Sequence, residues 1–245
     1  RRSQQGYPEL LIAHAGAMSL KVEVPRKAAH ASKRLPGESA LDHFLTVYQA
    51  MREDERRVNE AEDHPLMRLH GLPYATNVGT INGGLWSSSV MDSLAAKVRV
   101  GVSLNETIDQ AEARFRQTIM EYIQDDPWLA EHPPRINRLA SGFGSAETKP
   151  DHPLVTALSE SAEEELRTSP TVAAAPYGCD MSGWVRLSTI PTVIYGLGDI
   201  SLAHAPDESV SLDTTYKVAR ALVRITERLR EINVESLRLT TNDEV

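Results

Sequence analysis

The chain has 245 residues, enough to bury a real core in one or two domains, and its 41% hydrophobic and 24% charged residues are those of a soluble globular protein. A formal net charge of -8 argues against a nucleic-acid partner or an anionic membrane, because no basic field would draw the chain in. One cysteine, Cys179, permits no internal disulfide; with no apolar run near the ~20 residues of a membrane span and no signal core in "RRSQQGYPEL", the expectation is a soluble, cytoplasmic protein.

In chain order, "AMSLKVEV" sets Met18, Leu20, Val22 and Val24 on one face and Ser19, Lys21 and Glu23 on the other, the alternation of a half-buried strand. After the loop "PRKAAHASKRLPG" a helix is expected from about Glu38, with Leu41, Phe44, Leu45, Tyr48 and Met51 at helical spacing. "DERRVNEAEDHP" reads as a charged, solvated loop. "ATNVGTINGG" and "SVMDSLAAKVRVGV" read as two further strands, the second with Leu94, Ala96, Val98, Val100 and Val102 inward. "SLNE" offers a capping box, Ser103 with Glu106, opening a helix that carries Ile108, Ala111, Phe115, Ile119 and Tyr122. With a last strand near Arg135 to Leu139, the order is the split βαβ arrangement of a ferredoxin-like sandwich.

"DDPWLAEHPP" and the Gly- and Ser-bearing "SGFGSAETKP" mark a boundary. Beyond it, Asp151 is expected to cap a helix through Leu166, and "TVAAAPYG" and "IPTVIYG" to form apolar strands. Ser211 or Asp213 then starts a long amphipathic helix with Tyr216, Ala219, Leu222, Val223 and Leu229 inward. Short apolar strands alternating with helices imply a covered, mainly parallel sheet, of which two strands are only a part. The boundaries expected are 1–15 leading into a first domain, 16–127 for that domain, and 128–245 for the C-terminal part of a second α/β domain.

These segments together resemble the lid and C-terminal catalytic half of the acetylornithine deacetylase, succinyl-diaminopimelate desuccinylase and carboxypeptidase G family of two-metal amidohydrolases. The stretches that carry the resemblance are "LIAHAGAMSLKVEV", "AAHAS" with "LPGESAL", "INGGLWSSSVMDSLAAKVRVGVSLNET", "DPWLAEHPP", "DHPLVTAL" and "PYGCDMSGW…IPTVIYGLGDISLAHAPDESVSLD". The implied fold is α/β, a ferredoxin-like (βαββαβ) lid joined to the C-terminal part of an α/β zinc-peptidase catalytic domain. The implied activity is metal-dependent hydrolysis of amide bonds in N-acyl amino acids or dipeptides, with two ions in a complete site, zinc or in its place cobalt or manganese, and a homodimer formed through the lid.

The resemblance assigns residues as follows. His204, in "AHAPDES", matches a metal ligand, a role neutral imidazole suits, and Glu208 could orient it from behind. Gly196 and Gly198 match a loop whose bare backbone lets a substrate carboxylate approach N–H groups; Leu197 stands where the family has proline. His30 matches the lid histidine that hydrogen-bonds the scissile carbonyl oxygen in a neighbouring subunit's site. Asp180 matches a site-wall position, Ser182 standing where other members place an arginine. Arg99, with Gly101, matches a lid strand that binds substrate, and Ser87, Ser88 and Ser89 stand where an asparagine is usual. Cys179 has no histidine base tied to it and reads as a packed thiol. His14, His43, His64, His70, His132 and His152 show no metal-type spacing and read as structural or solvated.

The family's bridging carboxylate, further ligands and general base come from a half that precedes the lid, and Gln4 or Gln5 stands where the last of those carboxylates is expected. Two readings follow from different classes: a metal-dependent deacylase or peptidase whose other ligands are supplied elsewhere, or a catalytically inactive module that only dimerises or binds.

Overall fold

The computed structural model describes residues 9–25, 27–197, 206 and 208–232. The chain divides into two compact units, one built from Ala15–Ser145 with Pro176–Cys179, the other from the segments before, between and after these. Among the described residues no helix is long and apolar enough to cross a membrane.

The other unit opens with β1 (Glu9–His14), and the lid unit then runs β2 (Gly16–Val24), α1 (Ala40–Glu60), β3 (Asn77–Gly83), β4 (Leu94–Val102), α2 (Ile108–Tyr122), the short α3 (Pro127–Glu131) and β5 (Arg135–Arg138). Its sheet has the order β3-β4-β2-β5, every neighbour antiparallel. This is the ferredoxin-like sandwich expected from the pattern of strands and helices. The register pairs Met18 with Val100, Leu20 with Val98 and Val22 with Ala96, so the apolar alternation of both strands falls on one face. Phe44, Val47, Ala50 and Met51 of α1 and Ala111, Phe115 and Ile119 of α2 cover that face. The junction expected after residue 127 lies instead after Ser145, because β5 pairs with β2 and completes the same sheet.

Three local expectations for the lid are corrected. The charged stretch from Asp54 is not a solvated loop: α1 continues to Glu60, and Asp54 and Glu55 are buried. Leu41 and Leu45 point outward, since the inward stripe runs through Phe44, Val47 and Met51. Helix α2 opens four residues later than "SLNE" suggests. Thr107 is its cap and forms the reciprocal box with Gln110, while Ser103 N–H donating to Glu106 at 2.8 Å ties down the preceding turn.

The other unit contains β1, β6 (Ala146–Glu147), α4 (Pro153–Leu166), β7 (Thr171–Ala175), β8 (Ile194–Tyr195) and α5 (Leu212–Glu231). Strand β1 is its central member, parallel to β7 and antiparallel to β6 and β8, so the sheet is mixed rather than mainly parallel. "IPTVIYG" contributes only the two paired residues of β8. The cap of α4 is His152, whose Nδ1 accepts from Leu154 N–H at 3.1 Å, not Asp151.

Helix α5 begins after Ser211, as expected, but faces differently. Val218, Ala221 and Ile225 are its buried stripe, whereas Tyr216, Ala219, Leu222 and Val223 are exposed and Leu229 is half-buried. The rotation is set by α4, which α5 meets with a row of ion pairs, Glu160 to Arg228 at 2.7 Å, Glu164 to Arg224 at 3.0 Å and Glu165 to Arg220 at 2.5 Å. Those cations sit on positions that fix which side of α5 turns toward α4.

Candidate functional site

The lid presents His30 on a loop that is pinned from several sides. Lys27 and Glu38 close the loop's base, with Glu38 N–H donating to the Lys27 carbonyl at 2.8 Å. Ala31 N–H donates to Ser88 O and Val90 N–H to Ala29 O, both at 2.9 Å, so the "SSS" segment holds the histidine loop by its backbone. His30 caps a single 3-10 turn over Ala31–Lys33, where Lys33 N–H returns to the His30 carbonyl at 2.8 Å. Its imidazole is exposed. Nδ1 accepts from Ser32 N–H at 3.2 Å and lies 2.8 Å from Ser32 Oγ. Beside this loop, Ser89 closes a turn on the Trp86 carbonyl at 2.9 Å, and Leu35, Leu85 and Trp86 stand out into solvent.

Arg99 lies on β4, a central strand rather than an edge, opposite Ser19 of β2 and Asn77 of β3. Its guanidinium donates to the Ala75 carbonyl at 3.0 Å. Burial pulls it below the usual arginine range, and among the described residues no carboxylate lies within ion-pair distance. A half-buried cation of this kind has donors to offer an anion.

The remaining assignments fall in the other unit. Asp180 is exposed, and its carbonyl accepts from Gly183 N–H at 3.0 Å at the start of a turn. Gly196 follows β8, and among the described residues a Cβ built there would meet nothing within 4 Å. Glu208 is exposed. Gly198 and His204 lie outside the described residues. Among the described residues no group of three or more His, Cys, Asp or Glu could hold a metal ion, so they do not by themselves make a metal site. Cys179 is a partly buried thiol. His43 is structural: its two ring nitrogens face Asp126 Oδ2 at 3.1 Å and Glu38 Oε2 at 2.9 Å.

Sequence reasoning missed Ser32, which sits two residues after the histidine, a spacing common in side-chain-to-backbone turns. It also missed a buried polar network in the lid. Asp54 pairs with Arg114 and accepts from Thr118 Oγ1 at 3.2 Å, and Arg114 grips Glu106 through Nε and Nη2 at 3.0 Å each. Tyr74 donates to Glu62, and burial, then that carboxylate, pushes the phenol well above its usual range.

Residues 12–126 match the family model described as peptidase dimerisation domain. The chain is 27% identical over 209 residues to the N-formyl-4-amino-5-aminomethyl-2-methylpyrimidine deformylase of Bacillus subtilis, covering 81% of this chain and 48% of that protein. It is 25% identical over 223 residues to the acetylornithine deacetylase of Vibrio cholerae, covering 89% and 55%. In fold it is similar to the M20 family metallo-carboxypeptidase of Sulfolobus solfataricus, with a TM-score of 0.69 at 17% identity over 94% of this chain and 62% of that one. The aminopeptidase PepT of Bacillus cereus gives a TM-score of 0.67 at 18% identity over 93% and 56%. The chain spans about half the length of the curated relatives it matches. Just under half of the chain, residues 12–126, thus matches a peptidase dimerisation domain, and the fold is similar to that of M20 metallopeptidases.

Proposed function

We propose that the chain serves the hydrolysis of amide bonds, a deacylase or peptidase acting on an N-acyl amino acid or a dipeptide. The observation that carries this reading is the lid, which holds His30 on a doubly anchored loop with its imidazole outward, in a chain whose relatives are named for removing formyl and acetyl groups. In amide hydrolysis the carbonyl oxygen gains negative charge as the carbon becomes tetrahedral, and a donor placed against it acts mainly on that developing charge. His30 takes this role, Arg99 binds a substrate carboxylate, and Asp180 and the backbone at Gly196 and Gly198 line the remainder. His204 is one ligand of a divalent ion, zinc or in its place cobalt or manganese, with Glu208 orienting it. The described residues do not by themselves assemble the site of that ion.

The working unit in this proposal is a homodimer formed through the lid. Strand β3 is the sheet's edge and is almost wholly exposed, carrying Ile81 outward with neither proline nor lysine to discourage pairing. A second reading, an inactive dimerisation or binding module, is supported by the match of residues 12–126 to a dimerisation domain. The deciding test is amine release from N-acetyl- and N-formyl-amino compounds and dipeptides by the purified chain, with zinc, cobalt or manganese supplied. Turnover that requires the ion and falls in both His30→Ala and His204→Ala supports hydrolysis. A chain that dimerises but releases no amine with any of these ions favours the module.

A further inference from the structure

We propose that Ser32 is a positioning residue for His30, holding the neutral imidazole in the tautomer with its proton on Nε2. The inference rests on the reading of His30 as the donor to the scissile carbonyl, and extends it to the residue that makes the donor. A backbone N–H can only donate, so the bond from Ser32 N–H to Nδ1 requires a lone pair on Nδ1. A neutral ring with its lone pair there carries its proton on Nε2. The Ser32 hydroxyl, 2.8 Å from the same nitrogen, must then donate to it as well, and by distance is the stronger of the two.

Nε2 makes no hydrogen bond among the described residues, so its N–H is the one offered outward. The opposite tautomer would set a ring N–H against the Ser32 amide N–H and present a lone pair to a substrate oxygen, repelling the charge that amide hydrolysis develops. Because donor and acceptor are two residues apart on a turn already closed by Lys33 and Ser88, the arrangement costs little ordering.

The experiment is long-range proton–nitrogen correlation on the full chain labelled with nitrogen-15, at a pH where imidazole is neutral, with the His30 signals identified by their loss in His30→Ala. The wild type is expected to show a protonated Nε2 and an unprotonated Nδ1; Ser32→Ala, which keeps the weaker amide donor at 3.2 Å and loses the hydroxyl at 2.8 Å, a smaller Nε2-protonated share; and Ser32→Thr the wild-type pattern. An Nδ1-protonated ring in the wild type, or an unchanged pattern in Ser32→Ala, would overturn the proposal. Where turnover is measured, Ser32→Ala should lower kcat about 2- to 12-fold, the size of one net hydrogen bond, with KM unchanged and Ser32→Thr restoring the rate. A tautomer change with no change in kcat would overturn the catalytic reading of His30 while leaving its control by Ser32 standing.

Discussion

Replacing Arg114 by methionine tests whether the lid's charged network is structural. Asp54 is 1% exposed, and without the guanidinium its carboxylate keeps, among the described residues, only the Thr118 hydroxyl. Leaving a buried charge without its partner costs about 3–5 kcal/mol. Arg114 is itself 23% exposed and borders a cleft of about 400 Å³, so water reaches the guanidinium side of the pair. The lower end, about 3 kcal/mol, is therefore expected, equivalent to about 6–12 °C of melting temperature in a chain of this size.

The loss should depend on pH with a defined sign. Burial raises Asp54 above the usual aspartate value, and Arg114 opposes that rise. A raised folded value means that the stability linked to protonating Asp54 is fully present below the unfolded aspartate value, near 4, and is lost as pH climbs through the folded one. Removing Arg114 lifts the folded value further, so Arg114→Met should be most damaging at neutral pH and recover as the solution is acidified. Asp54→Asn made in the Arg114→Met background should cost less than in the wild type, with an interaction energy of about 1–3 kcal/mol. Thermal unfolding followed by hydrogen exchange of lid amides isolates this unit from the other. A loss below about 1 kcal/mol at neutral pH, a pH-independent loss, or additive single changes would refute the reasoning.

Gly101→Ala should destabilise the lid by about 1–3 kcal/mol in urea titration, since a Cβ there would lie 2.7 Å from the Tyr74 backbone, which cannot rotate away. Ile81→Lys, placing a charge on the exposed edge of β3, should shift sedimentation from dimer to monomer while the circular dichroism spectrum stays that of the folded chain. Arg99→Ala should raise KM for a carboxylate-bearing substrate far more than it lowers kcat, and a change confined to kcat would remove Arg99 from substrate binding.

The lid was legible because two periods agree with each other. The two-residue alternation of Met18–Val24 and Leu94–Val102 and the helical spacing of Phe115 and Ile119 all point at one core. The continuation of α1 through Asp54, Glu55 and Asn59 was not legible, because their charges look solvated until residues far along the chain bring Arg114, Thr118 and the Tyr74–Thr76 backbone against them. The inward face of α5 failed for a related reason. Its sequence offers apolar residues on more than one side, and the choice is made by Glu160, Glu164 and Glu165 on α4. At the candidate site the histidine stood out by type and neighbours, but Ser32, Ser88 and Ser89 did not. Ser88 and Ser89 act through backbone groups that every residue has, and the Ser32 hydroxyl meets the imidazole only once the loop has closed into its 3-10 turn.

The hidden network also connects stability to the proposed chemistry. Glu55 accepts from Thr76 N–H at 2.6 Å, Asn59 donates to the Tyr74 carbonyl at 3.1 Å and accepts from Tyr74 N–H at 2.9 Å, and Arg52 bonds the Thr76 carbonyl. The polar half of α1 therefore fixes residues 74–76, the segment that leads into β3. Ala75, in the middle of that segment, is where the Arg99 guanidinium is anchored. One short stretch of backbone thus sets both the start of the edge strand proposed to meet a second subunit and the orientation of the cation proposed to bind substrate. Loosening it through Glu55 or Asn59 should weaken dimer and substrate binding together, although neither residue touches a partner or a ligand.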